Sequence, residues 1–452
     1  MDDLVIARSL FGTTMGFHII FATLGVGLPL MMIIAELMYQ KTKDYHYVIM
    51  AKRWTKTFAI LLGVGIPTGT IAGTQLSLLW PGFMEVIGKV MVLPFQIEIY
   101  AFFLEALFMS IYVYAAERLP PWARTLSLVL VAFGAMASAV LISNVHSFEG
   151  TPAGFKMENG VISDVHPWVA FFNPSFIVTA IHVVLTAYTT GAFVIAAVAA
   201  FKMLRIGPKN KDYLFHKKAL KICVITGGIF ALFTALNGHV VTQKLHEYQP
   251  EKLAAAEGLF ETQDHAPLSL LGFTDRETQE VKYGIEIPWA LSFLSGNSFD
   301  TEVIGLNDFP EEEWPPLFVH TLFNLMVITG GMLIVLALFI YLWNFRRKRE
   351  LPKWLLVIVV LSGPLAMMAI ESGWIFACTG RQPWTIYRIL STADSATTST
   401  NLGPLFASFA VVYAILGIAV VSVLLYYFKR NTVQDDIYRA EQKGLPLYGS
   451  NS

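Results

Sequence analysis

The chain contains 452 residues, of which 55% are hydrophobic and only 14% charged, and its formal net charge is −1. Soluble domains carry roughly 25% charged residues, so this composition excludes a soluble globular protein, and we expect no nucleic-acid partner. Repeated apolar runs of about 20 residues or more instead predict an integral helical membrane protein. The two cysteines, Cys223 and Cys378, are too few for a disulfide framework.

Nine apolar runs, separated by charged or Pro/Gly-rich breaks, predict nine transmembrane helices in an all-α fold. The first run is too long for a signal-peptide core and follows Asp2, Asp3 and Arg8, so we expect no cleavable signal peptide. Several runs exceed the roughly 20 residues needed to cross a bilayer, which indicates tilt or extension past the lipid. The predicted helices cover residues 11–38, 54–79, 93–115, 122–144, 174–201, 219–242, 317–343, 354–378 and 404–428.

The distribution of lysine and arginine among the connections predicts the orientation, because basic loops stay in the cytoplasm. Every second connection is basic, and the connections between them are neutral or acidic. We therefore expect the N-terminus outside the cell membrane of a bacterium or archaeon and the C-terminus in the cytoplasm. The basic segments are residues 39–53, 116–121, 202–218, 344–353 and the tail 429–452.

One long connection, residues 243–316, separates the sixth helix from the seventh. It holds four basic residues against fifteen acidic ones, so it is predicted to lie outside the cell. Loops of this length are usually functional or disordered, and its Pro, Gly and acidic content favours a small extracytoplasmic lid. The predicted organisation is six helices in 1–242, the lid in 243–316, three helices in 317–428 and a cytoplasmic tail in 429–452.

Ionisable side chains inside the predicted helices are candidates for function, because burying them in lipid is costly. Each has an alternative interpretation as an ordinary hydrogen-bonding residue between helices. The candidates are His18, Glu36, Glu98, Glu105, His182, His239, His320 and Glu371.

Four residues that can bind iron fall at a similar depth in the outer half of the membrane: His18, His182, Met326 and Cys378. An imidazole with a thioether suits a six-coordinate, electron-transferring haem, whereas a single imidazole leaves a position open for a gas or a substrate. A thiolate can bind haem or copper. Taken singly, each histidine is equally compatible with an interhelical hydrogen bond, and Met326, one of sixteen methionines, is more typical of packing. The shared depth therefore carries the prediction of a metal site.

Two carboxylates of the third helix, Glu98 and Glu105, are seven residues apart in "QIEIYAFFLEA" and therefore share one helix face. Aligned along the membrane normal, they could relay protons toward a buried site. Alternatively, each accepts interhelical hydrogen bonds while protonated.

Several motifs resemble subunit I of the cytochrome bd-type quinol oxidases, and the resemblance covers essentially the whole chain. The number of helices, the outer N-terminus and the single long outer loop are also similar. The motifs are "GRQPW" at 380–384 with Trp374 upstream, "AFFLE" ending at Glu105, "KLAAAE" from Lys252 to Glu257, "MGFHIIFA" around His18 and "TAIHVVLTAYTTG" around His182.

The resemblance implies a membrane enzyme that oxidises quinol at the outer face and reduces O2 to water with protons from the cytoplasm. This reaction would generate a proton-motive force without pumping. A low-spin haem b would be held by His182 and Met326, and His18 would bind one high-spin haem b of a two-haem oxygen site. The third group would be haem d or a further haem b.

The resemblance also implies roles for the remaining motif residues and for partner proteins. A second multi-helix membrane subunit is expected as partner, with a small accessory subunit as a further candidate. Arginine suits haem propionates because its guanidinium makes paired charged hydrogen bonds. The resemblance implies that Arg381 and Gln382 bind haem propionates and that Trp374 lies beside the cofactor. It implies that Lys252 and Glu257 bind quinol, with Glu257 accepting a proton. Glu98 and Glu105 would relay protons.

Two positions depart from the family pattern. The family places a haem-binding glutamate two residues before "GRQPW", where this chain has Cys378, and commonly an arginine two residues before the haem methionine, where this chain has Asn324. Cys378 could bind the haem as a thiolate, with Arg381 as the compensating charge. Alternatively, water or another side chain could bind this haem, or the haem could be absent. Asn324 removes a positive charge and is expected to favour the ferric low-spin haem.

Two competing hypotheses remain at this point. The first is a degenerate member of the family that keeps a haem but has lost oxygen reduction and serves as a partner subunit. The second is a haem-free, proton-coupled transporter in which the histidines and glutamates form a proton path.

Overall fold

The computed structural model describes residues 3–158, 160–210, 212–346 and 350–442. Within these residues it contains nine helices that are long and apolar enough to cross a membrane, which confirms the predicted fold class. The predicted tail is described as far as residue 442. Its remainder, 443–452, lies outside the described residues, as do residue 211 and residues 347–349 of two predicted cytoplasmic connections.

The helices follow the predicted order along the chain, with short helices added in the connections. In the described residues they are α1 (Asp3–Thr42), α2 (Tyr45–Leu79), α3 (Pro81–Val90), α4 (Val92–Ala115), α5 (Pro121–Gly150), α6 (Pro167–Phe171), α7 (Phe176–Ile206), α8 (Asp212–Tyr248), α9 (Pro250–Glu257), α10 (Ala290–Gly296), α11 (Val319–Ile340), α12 (Lys353–Thr379), α13 (Thr392–Ser395), α14 (Leu402–Arg430) and α15 (Val433–Gln442).

The spanning helices extend beyond several predicted ends. α1 begins at Asp3 rather than at residue 11, and α8 ends at Tyr248 rather than at residue 242. Hydrophobicity marks the part of a helix that crosses lipid, whereas the backbone hydrogen-bond ladder continues into the polar region beyond it. The outer loop therefore begins six residues later than the sequence suggests, at residue 249 rather than 243.

Short antiparallel hairpins occupy the outer connections. Backbone pairing joins β1 with β2, β3 with β6, β4 with β5, and β7 with β8. The strands are β1 (Lys156–Glu158), β2 (Val161–Ser163), β3 (Leu268–Leu270), β4 (Phe273–Asp275), β5 (Glu280–Lys282), β6 (Ile285–Ile287), β7 (Trp384–Ile386) and β8 (Leu390–Ser391).

α1 and α7 approach each other closely at two glycines. A Cβ added at Gly27 would lie 2.5 Å from the Ala187 carbonyl oxygen, and one at Gly191 would lie 2.8 Å from the Gly27 Cα. Small residues allow such backbone contact between membrane helices. The contact fixes the helix of His18 against the helix of His182.

Glu36 belongs to a buried ion pair and not to the outer site. Its side chain is fully buried, and Arg124 Nε lies 3.1 Å from its Oε1. Gln40 Nε2 donates to the same oxygen at 3.1 Å. The pair joins α1 to α5 toward the predicted cytoplasmic end, so we assign Glu36 a structural role.

The outer loop shares a small core with the ends of the spanning helices, to which Leu245, Val319 and Phe376 contribute. Leu253, Ala254 and Ala256 of α9 are at most 1% exposed and pack with Leu259 and Phe260. Because α9 lies inside this core, the polar residues that flank its apolar ones are also held away from water.

Candidate functional site

The iron-binding candidates lie on four helices near the end of the bundle that carries the long loop. His18 belongs to α1 and His182 to the first turns of α7. Met326 lies in the first turns of α11, and Cys378 in the last turn of α12. In α1, which begins before the predicted helix, His18 lies further from the helix end than the other three residues do in theirs, and the shared depth of the four stays a prediction.

The ring of His18 is oriented by Thr68 of α2. The Thr68 hydroxyl lies 2.9 Å from the Val64 carbonyl oxygen, to which it donates its hydrogen, and its oxygen lies 3.0 Å from His18 Nδ1. The hydroxyl therefore accepts from an Nδ1–H, which leaves Nε2 with a free lone pair. This is the second-sphere arrangement common for metal-binding histidines.

His182 has a buried ring nitrogen, Nδ1, for which the described part of the chain supplies no hydrogen-bond partner. Buried polar atoms nearly always have partners, and exceptions call for an explanation such as an absent ligand. A ring with an unused buried nitrogen therefore fits a cofactor-binding histidine.

Met326 packs directly against Gly373 of α12. A Cβ added at Gly373 would lie 2.7 Å from Met326 Sδ, closer than real Cβ contacts allow. The thioether can occupy its position only because residue 373 has no side chain. Gly373 precedes Trp374, which lies half-buried in the same turn of α12.

The "GRQPW" segment presents two unused buried donors. Within the described residues, Arg381 Nε and Trp384 Nε1 have no hydrogen-bond partner. Gln382 accepts from the Thr392 hydroxyl through Oε1 at 2.9 Å, so the amide nitrogen is not used in that bond. These donors suit a carboxylate ligand such as a haem propionate.

The other side of the Arg381 guanidinium is already paired. Its Nη2 forms an ion pair with Glu149 Oε2 of α5, and the two side chains are 6% and 16% exposed. Arg381 also lies close enough to favour a Cys378 thiolate, but Glu149 offsets part of its charge. The sequence analysis missed Glu149 because the fourth helix was predicted to end at residue 144.

Lys252 reaches from the lid to the end of α12. It is 7% exposed, and its Nζ donates to the Ala377 carbonyl oxygen at 2.8 Å. Burial, and then the charge of Arg381, lower the pKa of Lys252 to about 7. The amine can thus change its charge near neutral pH beside the "GRQPW" segment.

Glu257 occupies a different side of α9. It is 2% exposed, the Ser269 backbone N–H bonds to it, and its Oε2 has no partner among the described residues. Burial raises the pKa of Glu257 to about 8. Lys252 and Glu257 are thus both buried in the lid, but the first faces α12 and the second faces β3.

Glu251 holds α9 against the β7–β8 hairpin. It accepts hydrogen bonds from Tyr387 Oη at 2.7 and 2.8 Å and from Arg388 Nη2 at 2.9 Å. Burial, and then the Glu251 carboxylate, raise the pKa of Tyr387, so its phenol stays a donor. The sequence analysis missed Glu251, although it adjoins the Lys252 motif.

Glu98 and Glu105 both lie on the side of α4 that faces α5. Glu98 Oε1 accepts from the Ser138 hydroxyl at 3.0 Å. Glu105 is 5% exposed and lies beside Gly134, where a Cβ would come within 2.8 Å of the Glu105 backbone nitrogen. A third carboxylate, Glu371 of α12, has a buried Oε1 without a partner in the described residues.

His320 and Asn324 tie the lid to α11. His320 Nδ1 lies 2.8 Å from the Ala256 carbonyl oxygen and its Nε2 lies 2.9 Å from that of Leu271. Asn324 Oδ1 accepts from the Leu271 N–H at 2.9 Å. The residue at the family's arginine position therefore anchors the outer loop, which the sequence did not indicate.

Known proteins match nearly the whole chain. The family profile described as cytochrome bd terminal oxidase subunit I matches residues 6–432. A Bacillus subtilis (strain 168) protein named as a cytochrome bd menaquinol oxidase subunit I is 66% identical over 442 residues, which is 98% of this chain and 100% of the relative. Another, named cytochrome bd ubiquinol oxidase subunit 1, is 33% identical and covers 96% of each chain.

The similarity extends to a solved structure. The bd oxidase from Geobacillus thermodenitrificans superposes with a TM-score of 0.90 at 44% identity. The match covers 95% of this chain and 99% of that chain. Sequence and backbone thus agree over the same helices that carry the residues described above.

Proposed function

The chain belongs to the cytochrome bd terminal oxidase subunit I family, and from this membership we propose which role each of its site residues has in a quinol oxidase. It is a multi-pass bacterial membrane protein and the subunit I of a terminal oxidase of the respiratory chain. We propose that quinol is oxidised at the outer face and that O2 is reduced to water with cytoplasmic protons. One observation carries this proposal: the unused nitrogens of His182 and Arg381 lie at the same end of the bundle as the buried Lys252.

The family carries haems, and we propose which residues hold them here. His182 and Met326 would hold a low-spin haem b, and His18 a high-spin haem b, with haem d or a further haem b as the third group. Arg381 and Gln382 would bind propionates. Haem supplies one-electron transfer and O2 reduction when bound. The free lone pair at His18 and the orphaned His182 nitrogen support this assignment.

The lid, residues 243–316, would bind quinol through Lys252 and Glu257. Lys252 would donate a hydrogen bond to a quinol oxygen, and Glu257 would accept the proton that the hydroxyl releases. The raised pKa of Glu257 suits it to exchange a proton near neutral pH. A proton released there would leave toward the outside, opposite to the proposed uptake side.

Glu98 and Glu105 would relay protons from the cytoplasm along the α4–α5 contact. Both carboxylates lie on the side of α4 that faces α5, and Glu98 has a hydroxyl partner in Ser138. Uptake on one side and release on the other would build a proton-motive force without a pump. The alternative, structural hydrogen bonding, fits Glu98 better than Glu105, for which the described residues show no side-chain partner.

The subunit name implies a subunit II, and we propose that it is a multi-helix protein that contacts the lipid-facing side, with a small accessory subunit as a further partner. We propose menaquinol as the substrate, because the relative with 66% identity is named for menaquinol and the one with 33% identity for ubiquinol.

The proposed function is tested with the purified complex by a reduced-minus-oxidised spectrum and by O2 uptake with menaquinol or ubiquinol. We expect haem bands and uptake that is faster with menaquinol. Haem bands without uptake would support the degenerate partner subunit instead. A preparation without haem bands would leave only the transporter hypothesis.

Gly373→Ala is predicted to disturb the low-spin haem. The new Cβ would lie 2.7 Å from Met326 Sδ, so the thioether must move and its bond to iron is expected to weaken. The measurement is the reduced spectrum of the complex, in which part of the low-spin band should convert to a high-spin form.

Gly330→Ala in α11 is the matched control, because a Cβ there meets nothing within 4 Å. Alanine favours a helix over glycine by about 1 kcal/mol at both positions, so helix propensity cannot explain a difference between them. An unchanged band in Gly373→Ala would argue against Met326 as a ligand.

A further inference from the structure

We propose that His146 of α5, with Glu149 beside it, would bind the iron of the haem that the family holds through the glutamate replaced here by Cys378. The inference rests on the proposed function, since it takes the oxygen site to contain a haem near the end of α12. It assigns a role to a histidine that the sequence analysis did not single out.

His146 lies in the last turns of α5, at the same end of the bundle as Cys378. The Tyr387 N–H donates to the Glu149 carbonyl oxygen at 2.8 Å, which fixes this end of α5 against the chain that follows "GRQPW". Arg381 pairs with the Glu149 side chain. His146 is thereby held beside the segment in which the family has its carboxylate ligand.

The imidazole of His146 is accessible, although its chain neighbours are not. Its side chain is 31% exposed, whereas Val145 and Ser147 are each 4% exposed. A ligand can therefore reach this ring at a point where the surrounding helix is closely packed.

Glu149 is the carboxylate neighbour of the ring, at an ion-pair distance that is longer than an ordinary hydrogen bond. Its Oε2 lies 3.4 Å from His146 Nδ1. Metal-bound imidazoles commonly direct one N–H to a carboxylate, which fixes the tautomer and makes the other nitrogen a better ligand. Here that other nitrogen is Nε2, for which no hydrogen bond is seen in the described residues.

Cys378 is the weaker candidate for the same iron. A thiolate ligand needs a nearby positive charge to lose its proton; Arg381 and Lys252 supply some, but burial of the thiol and the Glu149 carboxylate oppose ionisation more strongly. Neutral imidazole binds iron without losing a proton. A carboxylate at residue 149 and an imidazole at residue 146 thus replace the carboxylate that is missing at residue 378.

The test is His146→Gly in the complete oxidase complex, with haem content measured as the pyridine haemochrome and with spectra recorded before and after adding imidazole. We expect the loss of one high-spin haem per complex, with the low-spin band retained and the lost bands restored by imidazole. His166→Gly is the matched control, because that histidine is 63% exposed and bonds to Asp164.

Full haem content in His146→Gly would overturn the proposal. So would a haem loss that imidazole does not restore, since that result assigns His146 a structural role. Cys378→Ala, measured in parallel, should keep the haem that His146→Gly loses. Loss of this haem in Cys378→Ala alone would identify the thiolate as the ligand.

His146→Tyr decides the question if the glycine variant does not assemble. A phenolate bound to ferric haem gives a charge-transfer band that the parent complex lacks, and we expect this band in the variant. A parent-like spectrum would contradict the proposal. Quinol-dependent O2 uptake by the parent complex reports separately on the proposed function, so the two can fail independently.

Discussion

Replacing His182 by alanine is expected to abolish the low-spin haem band and to lower quinol-dependent O2 uptake. Loss of a second-sphere partner already costs about 10- to 100-fold in metal affinity, so loss of the ligand itself should cost at least about 100-fold in uptake. The physical reason is that, under the proposed assignment, Met326 would remain as a single weak, neutral ligand of the low-spin haem. The measurements are the reduced spectrum and O2 uptake with menaquinol.

His182→Ala should remove a ligand without unfolding the bundle. The His182 Nδ1 has no close hydrogen bond in the described residues, and Asn237 is the polar side chain that interacts with the ring. The cost to stability is then the lost packing of one half-buried ring and its interaction with Asn237. Normal assembly with subunit II, checked by co-purification, would separate loss of the cofactor from loss of the fold.

His239→Ala is the matched control, since it removes a histidine of α8 that has protein partners. His239 Nε2 lies 2.7 Å from Asn297 Oδ1 and 3.1 Å from Gln243 Nε2, which indicates a structural bond between α8 and the lid. We expect both haem bands and uptake to be retained. A low-spin band that survives in His182→Ala would contradict the assignment.

The fold was predictable because bilayer thickness and charge act on local sequence. Each spanning helix needs a continuous apolar run, and each run is visible in the chain without knowledge of its neighbours. The motif around "GRQPW" then identified the family from a few adjacent residues. Helix ends were less predictable, as α1 and α8 show, because hydrogen bonding continues where hydrophobicity stops.

Pairing between distant residues was not predictable from one sequence. Glu36 looked like a functional carboxylate until the structure placed Arg124 beside it. The sequence suggested Arg381 as the compensating charge for Cys378, but in the structure Arg381 forms an ion pair with Glu149, more than two hundred positions earlier. Each pair is set by how two helices pack, and neither partner carries a local signal of the other.

The same limit explains the interpretation of Asn324. As a replacement for arginine it suggested only the loss of a charge, yet its amide oxygen accepts the Leu271 N–H of the lid. The nearby ring of His320 contacts backbone carbonyls of α9 and of the loop before β4. The lid is thus bonded to α11, the helix that carries Met326, so the proposed quinol site and the proposed low-spin haem site share this helix.

Glu257→Gln is expected to lower the rate of quinol oxidation by roughly 100-fold, the usual contribution of a positioned base, and to remove the rise of that rate with pH. The parent carboxyl has a pKa of about 8, so at pH 7 most of it is protonated and cannot accept a proton. As the pH rises through 8 the carboxylate forms and the rate increases. Glutamine cannot ionise, so its profile lacks this increase.

The free energy of unfolding is expected to change with pH in the opposite direction to the rate. A loss of rate in Glu257→Gln can therefore be distinguished from a loss of folded protein. Between pH 4.5 and about 8 the folded protein keeps a proton on Glu257 that the unfolded chain releases, so the free energy of unfolding falls as pH rises through this interval. Glutamine stays neutral and removes this loss, so Glu257→Gln should be at least as stable as the parent near pH 8. Thermal unfolding of the complex at pH 6 and pH 8 measures the difference.

Glu261→Gln supplies the matched control, because Glu261 belongs to the same lid but is exposed and accepts from Asn307 Nδ2 at 2.8 Å. Its rate and pH profile should equal those of the parent. If Glu257→Gln kept the parent's rise in rate with pH, the titrating group would be another one. Lys252, whose pKa is about 7, could not account for that rise, because the loss of its charge as pH increases would change the rate in the opposite direction.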